Sequence, residues 1–238
     1  MLADSLAQRG YASLRYDKRG IAASKDAVQS EDSLRFEDYV NDAVGWLEKL
    51  QQDERFSKVM VLGHSEGSLI GMLAAREANT DAYISVAGVA QPADSLILEQ
   101  LAPQPDFIKN EATEIITSLQ QGQTVDSVSQ TMLALFRPSV QPYLISWFNY
   151  RPAEVIADLT QPVLIIQGTT DLQVQVKEAQ RLAQSQPNAK LEIINGMNHV
   201  LKPAPAEPQA NLATYSNPDL PLADELLEKI VSFLNGLS

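Results

Sequence analysis

Two stretches of this chain, "KVMVLGH" (58–64) and "PVLIIQG" (162–168), are almost wholly apolar over the length of a strand. A strand with one wet face alternates apolar and polar residues. An unbroken apolar run belongs to a strand covered on both faces, as in a parallel sheet between layers of helices. Three more β-rich runs accompany them: "YASLRYD" (11–17), "AYISVAG" (82–88) and "AKLEIIN" (189–195). Between the runs the apolar spacing is mostly helical. Leu2, Leu6 and Ala7 mark an opening helix closed by Gly10, and Phe36, Tyr39, Val40, Ala43, Trp46, Leu47 and Leu50 mark a second. Leu69 to Ala78, Ala179 to Ala183 and Leu222 to Leu234 mark three more. Strand alternating with helix predicts an α/β fold with a doubly wound, mostly parallel sheet.

One segment breaks the alternation. Residues 91–158 hold no convincing strand and read as helices interrupted by Pro92, Pro103, Pro105, Pro138, Pro142 and Pro152. Placed between two strands of one sheet, this is expected to be a helical cap inserted into a core made of residues 1–90 and 159–238. A second irregular stretch, 202–222, is rich in proline and asparagine and reads as a long loop before the last helix, either an extended surface arm or a functional loop.

Composition narrows the function classes. The net charge is −12 over 238 residues, which disfavours nucleic acid and anionic membranes as partners. With no cysteine, the chain has no disulfide, thiolate nucleophile or Cys-ligated zinc. No metal or nucleotide motif is present, so no cofactor is expected. No apolar run approaches a membrane span of about 20 residues. The opening "MLADSLAQRG" lacks the apolar core of a signal peptide, and a cytoplasmic location is the expectation, although lack of cysteine does not itself fix the compartment.

"GHSEG" (63–67) closes the first apolar run and opens a helical pattern. G-x-S-x-G between strand and helix is a sharp turn that lifts a serine above the sheet, with glycines leaving room for the crossing chain. It puts Ser65 at a helix N-terminus, where free amides favour developing negative charge. A serine hydroxyl needs a base. Of two histidines, His64 adjoins Ser65 and points elsewhere from the turn, which leaves His199 after the last strand. Asp171, in a loop after "LIIQG", is the carboxylate expected to orient His199. The chain order Ser65, Asp171, His199, with each residue at a different strand end, is that of α/β-hydrolases.

On these motifs the chain resembles α/β-hydrolase-fold serine esterases, and more narrowly bacterial hydrolases of the serine aminopeptidase-like group with a helical cap and an R-Y-D-K-R-G motif. "LRYDKRGIAAS" (14–24), "GHSEGSLIG" (63–71), "QGTTDLQV" (167–174) and "GMNHVLK" (196–202) carry the resemblance over nearly the whole chain. It implies a carboxylesterase acting on small or medium acyl esters. One departure is Ala22, where the R-G-x-G-x-S pattern has its second glycine. A larger one lies at the front: the five runs correspond to strands four to eight of that fold. The loop after its third strand, which normally supplies a second oxyanion amide, has no counterpart, and the Glu66 backbone N–H is the one expected oxyanion donor. Lys18, Arg19 and Glu66 side chains are the nearest candidates to compensate. Three arrangements fit the gap: a piece of a longer protein, a shortened hydrolase with strands four and five paired directly, or a homodimer in which a second copy completes the sheet.

The segment 133–150 is rich in apolar and aromatic residues. Phe136, Trp147 and Phe148 are the candidate substrate-binding side chains, with the alternative that such residues only pack the cap's own core. The leading expectation is a serine carboxylesterase with a small-molecule ester substrate. A peptidase or acyltransferase with the same three residues, a weakly catalytic binding protein, and a structural partner completed by another subunit are the alternatives.

Overall fold

The computed structural model describes residues 1–237. The chain opens with α1 (Leu2–Ala7), passes through two short 3-10 turns, and enters α2 (Phe36–Gln51). Next come β1 (Met60–His64), α3 (Glu66–Glu77) and β2 (Ala82–Val86). A helical block follows: α4 (Ala93–Leu101), α5 (Asp106–Gln120), α6 (Leu133–Phe136), α7 (Gln141–Trp147) and α8 (Pro152–Ala157). The chain then returns through β3 (Val163–Gly168), α9 (Val176–Ser185), β4 (Lys190–Ile194), α10 (Pro208–Ala213) and α11 (Asp224–Asn235).

The four strands form one parallel sheet in the order β1-β2-β3-β4, with Leu62 beside Ile84 and Ile84 beside Leu164. Within the run 162–168, β3 is wholly buried, as its composition requires, whereas β1 stands at the sheet's edge and its residues other than Gly63 are only partly buried, despite the apolar run 58–64. Tyr83, Val163 and Ile165 face a core shared with α2, α3, α9 and the helical block. Ile84, Val86, Leu164 and Ile166 face a second core closed by α11, with Leu2 and Leu6 of α1 against it. Helices on both faces of a parallel sheet make this the α/β fold expected. The segment between β2 and β3 contains helices and no strand among the described residues. No helix of the described residues is long and apolar enough to cross a membrane.

One expected strand is absent. Residues 11–17 form no strand, and among the described residues 12–17 make no backbone–backbone hydrogen bond. Strand propensity needs a ladder partner, and the direct pairing of 11–17 with 58–64 is not formed. The Val59 carbonyl accepts from the Asp81 amide (2.9 Å) and the Ser65 amide donates to the Val86 carbonyl (3.0 Å), so both turn toward β2. Strand alternation then directs the backbone groups of Met60, Leu62 and His64 to the opposite side. A groove of about 940 Å³ there is lined by Tyr11–Tyr16 as well as by β1. The irregular stretch 202–222 is not wholly loop either, since it contains α10.

Candidate active site

The sharp turn at Ser65, an elbow between β1 and α3, follows from one glycine. A Cβ on Gly63 would lie 2.1 Å from the Gly67 carbonyl oxygen and 2.7 Å from the Ser68 Cα, so only glycine lets α3 start this close to the end of β1. At Gly67 a Cβ would meet nothing within 4 Å, and the expectation that both glycines make room holds for Gly63 alone. Ser65 takes φ 55° and ψ −122°, outside the regions an L-residue prefers, a strain of about 1–3 kcal/mol held by the strand before it and the helix after it. The Ser65 amide is bonded to β2, and the Glu66 amide lies at the first residue of α3.

The ends of β1, β3 and β4 bring Ser65, Asp171 and His199 together. His199 Nδ1 lies 2.8 Å from Asp171 Oδ2, and His199 Nε2 lies 3.1 Å from Ser65 Oγ. A carboxylate only accepts, so Nδ1 carries the hydrogen and Nε2 presents its lone pair to the serine hydroxyl. Asp171 and His199 are buried, at 8% and 5% exposure, which keeps water from competing for the contact between them. Burial works against the Asp171 charge. The hydrogen bond and charge of His199, with the Val174 and Gln173 amides, outweigh it and hold the carboxyl below the usual value. Those amides reach Oδ1 at 2.9 and 2.8 Å.

Several positioning groups come from side chains with no motif to announce them. Gln167 Nε2, on β3, donates to Asp171 Oδ2 at 3.0 Å, so the oxygen facing His199 is held from two directions. His64 Nε2 is 2.8 Å from the His199 carbonyl, an acceptor, so that nitrogen carries hydrogen and ties β1 to the His199 loop. Burial and the neighbouring His199 push the His64 imidazole below its ordinary pKa. The His199 loop is braced from beyond. Asn198 Nδ2 donates to Thr214 Oγ1 (2.7 Å), and Asn211 Nδ2 on α10 donates to the Thr170 carbonyl (2.8 Å). Part of 202–222 therefore supports the loops that carry Asp171 and His199. A Cβ on Gly168 would sit 1.9 Å from the Met197 carbonyl oxygen, so this glycine permits the two loops to touch.

The remaining expected site residues lie as follows. Glu66 accepts at its carboxylate from Lys18 Nζ and from Tyr143 Oη of α7 (2.5 Å). Arg19 is engaged by Asp42 through Nε at 2.7 Å. Phe136 has no exposed surface and Phe148 is 4% exposed, both within the main core. Trp147 stacks on Phe36 with ring centroids 5.9 Å apart. Phe136 and Phe148 thus fill the core and present almost no surface to a ligand, whereas Trp147 is partly buried and packs against that core from its edge. Ala22 keeps the left-handed backbone a glycine would take, with φ 45°.

The family described as Serine aminopeptidase, S33 matches residues 1–138. Esterase EstD of Thermotoga maritima is 24% identical over 214 residues, which are 84% of this chain and 48% of that protein. The chain thus spans about half the length of the curated relative it matches. Among solved structures, Est1E of Butyrivibrio proteoclasticus with ferulic acid bound superposes with a TM-score of 0.61 at 17% identity, covering 97% of this chain and 77% of that one. A bromoperoxidase from Bacillus anthracis gives a TM-score of 0.60 at 17% identity, covering 98% and 84%. At such identities the likeness establishes the fold alone, and that fold is the α/β-hydrolase fold.

Proposed function

The chain belongs to the serine aminopeptidase S33 family, and from that premise we propose that it is a serine carboxylesterase acting through Ser65, His199 and Asp171. The observation that carries this reading is His199 between the other two, hydrogen-bonded to Asp171 through one nitrogen and within reach of Ser65 Oγ through the other. The esterase among its relatives supports the ester over other acyl compounds.

In this mechanism Ser65 Oγ attacks the ester carbonyl while its proton passes to His199 Nε2. Asp171 keeps Nδ1 protonated and stabilises the imidazolium that results. The tetrahedral oxyanion is received by the Glu66 amide at the start of α3, where the helix dipole adds to a free donor. Collapse expels the alcohol, which takes the proton from Nε2, and leaves Ser65 acylated. Water then attacks with the same base, releases the acid and restores the serine. The helical insertion acts as a cap on this site, touching the elbow through Tyr143 and Glu66.

A peptidase is the second reading, favoured by the family's description. Labelling with a fluorophosphonate tests the nucleophile. Covalent mass on the Ser65 peptide, absent from Ser65→Ala and slowed in His199→Ala, is the expected result. An unlabelled folded chain, or labelling that survives Ser65→Ala, overturns the reading. Comparing p-nitrophenyl butyrate with an aminoacyl p-nitroanilide separates esterase from peptidase.

A further inference from the structure

Glu66 presents a contradiction if the proposed esterase mechanism holds, and the inference below rests on that reading. Its amide is the donor meant to receive negative charge, yet its own side chain is an acid. Covalent geometry keeps a glutamate carboxylate within about 5 Å of its own amide nitrogen. The oxyanion bound to that amide would lie only one hydrogen-bond length further. A full negative charge about 8 Å away, at an effective dielectric near 20, slows formation of such an oxyanion roughly thirtyfold, and solvent around the partly exposed carboxylate brings this to the order of tenfold. Most side chains at this position would carry no such penalty.

The fold holds this carboxylate from two sides. Lys18 Nζ, from the loop before Gly20, pairs with Oε2, and the ammonium also lies 4.5 Å from the centre of the Tyr39 ring. Tyr143 Oη, from α7, donates to Oε1 at 2.5 Å. Tyr143 is 6% exposed, and its ring lies 6.0 Å from Phe36, 5.6 Å from Tyr39 and 5.9 Å from Trp147. Helix α7 is tied to α2 in turn, because Ser146 Oγ accepts from the Phe36 amide at 2.8 Å. Burial and the Glu66 charge both raise the Tyr143 phenol above its usual pKa, so it stays a donor. The carboxylate is therefore matched by one cation and fixed by one phenol, each from a separate part of the chain.

We propose that Lys18 and Tyr143 are positioning residues for ester cleavage: Lys18 cancels, and Tyr143 orients, the Glu66 carboxylate beside the amide that receives the oxyanion. Lys18 thereby acts on the reacting carbonyl through Glu66 without touching substrate. The insertion helix α7 takes part in the chemistry through the same carboxylate.

The test is a charge-rescue series measured with p-nitrophenyl butyrate: Lys18→Met, Lys18→Arg, Glu66→Gln and the double variant Lys18→Met/Glu66→Gln. Lys18→Met leaves the acid unbalanced, and kcat is expected to fall on the order of tenfold with KM within about twofold. Lys18→Arg keeps the cation and stays near wild type. The double variant removes the charge along with its partner and recovers most of the lost kcat. A purely structural lysine cannot be rescued by removing the group it holds. Tyr143→Phe serves as a second probe, lowering kcat in the Glu66 background and having little effect when Glu66→Gln is already present. A double variant no faster than Lys18→Met overturns the inference, as does a loss confined to KM. Fluorophosphonate labelling of the wild type separates the two levels. Labelled Ser65 with no response to Lys18→Met overturns this inference alone. An unlabelled wild type overturns the esterase reading and the inference with it.

Discussion

Alanine at Gly63 and alanine at Gly67 are expected to have opposite effects, although both glycines belong to one five-residue motif. At Gly63 the new Cβ starts 2.1 Å from the Gly67 carbonyl oxygen, 2.6 Å from its carbon and 2.7 Å from the Ser68 Cα. All three are backbone atoms of the first turn of α3, so no side chain can swing away. Real Cβ atoms stay at least 3.0 Å from such neighbours, and α3 must retreat by about 0.9 Å or more. Forcing atoms into a packed interior costs about 1–3 kcal/mol. The retreat carries Ser65 and the Glu66 amide with it, and a misplacement near 1 Å costs on the order of 100-fold in rate. At Gly67 the Cβ meets nothing, and replacing a helical glycine by alanine gains about 0.5–1 kcal/mol. Urea unfolding gives the stability of each variant, and the rate of fluorophosphonate labelling gives the geometry at Ser65. Gly63→Ala should lose both; Gly67→Ala should gain stability and keep its labelling rate within about threefold. Equal losses at the two positions would refute the steric argument.

Ala22 stands in the left-handed region at φ 45°, so Ala22→Gly should stabilise the fold by about 0.5–1 kcal/mol, seen as a thermal midpoint higher by about 2 °C. Asp171→Asn should leave the fold intact and lower ester turnover by about 10³–10⁴-fold, because the amide no longer fixes the His199 tautomer; steady-state kinetics check it. His64 is held neutral by burial and by His199, so its folded pKa lies below the unfolded 6.5. The unfolded chain then binds the extra proton first, and the stability His64 contributes is present above pH 6.5 and lost as pH falls through its folded value. Urea midpoints at pH 7.5 and 5.5 should fall further in the wild type than in His64→Gln, whose amide can still donate to the His199 carbonyl.

What could be read from the sequence was what depends on local pattern. The runs 58–64, 82–88, 162–168 and 189–195 each contain an observed strand, and in 82–88 and 162–168, whose strands are wholly buried, double burial writes an apolar signature into the chain itself. Ser65, Asp171 and His199 were legible because strand ends in a parallel sheet gather at one edge, so three residues far apart in sequence share an address. The run 11–17 has the composition of a strand but depends on a ladder partner, a non-local condition that composition does not express. Gln167, Asn198 and Asn211 carry no local mark for a similar reason: a buried amide announces itself only once its partners are known. Phe136, Trp147 and Phe148 were recognisable as apolar and aromatic, but periodicity does not separate a side chain that lines a cavity from one that fills a core. Glu66 was visible through its backbone amide, whereas its side chain acquires meaning only when Lys18 and Tyr143 arrive from elsewhere.

The most direct test of the central claim is the hydrolysis of p-nitrophenyl acetate, butyrate and octanoate by this 238-residue chain beside Ser65→Ala. The account predicts turnover by the wild type, loss of that turnover in Ser65→Ala with the fold unchanged, and a preference among the three chain lengths that reports the reach of the site. A folded wild-type chain that hydrolyses none of them, or a Ser65→Ala variant that hydrolyses them equally well, would contradict it.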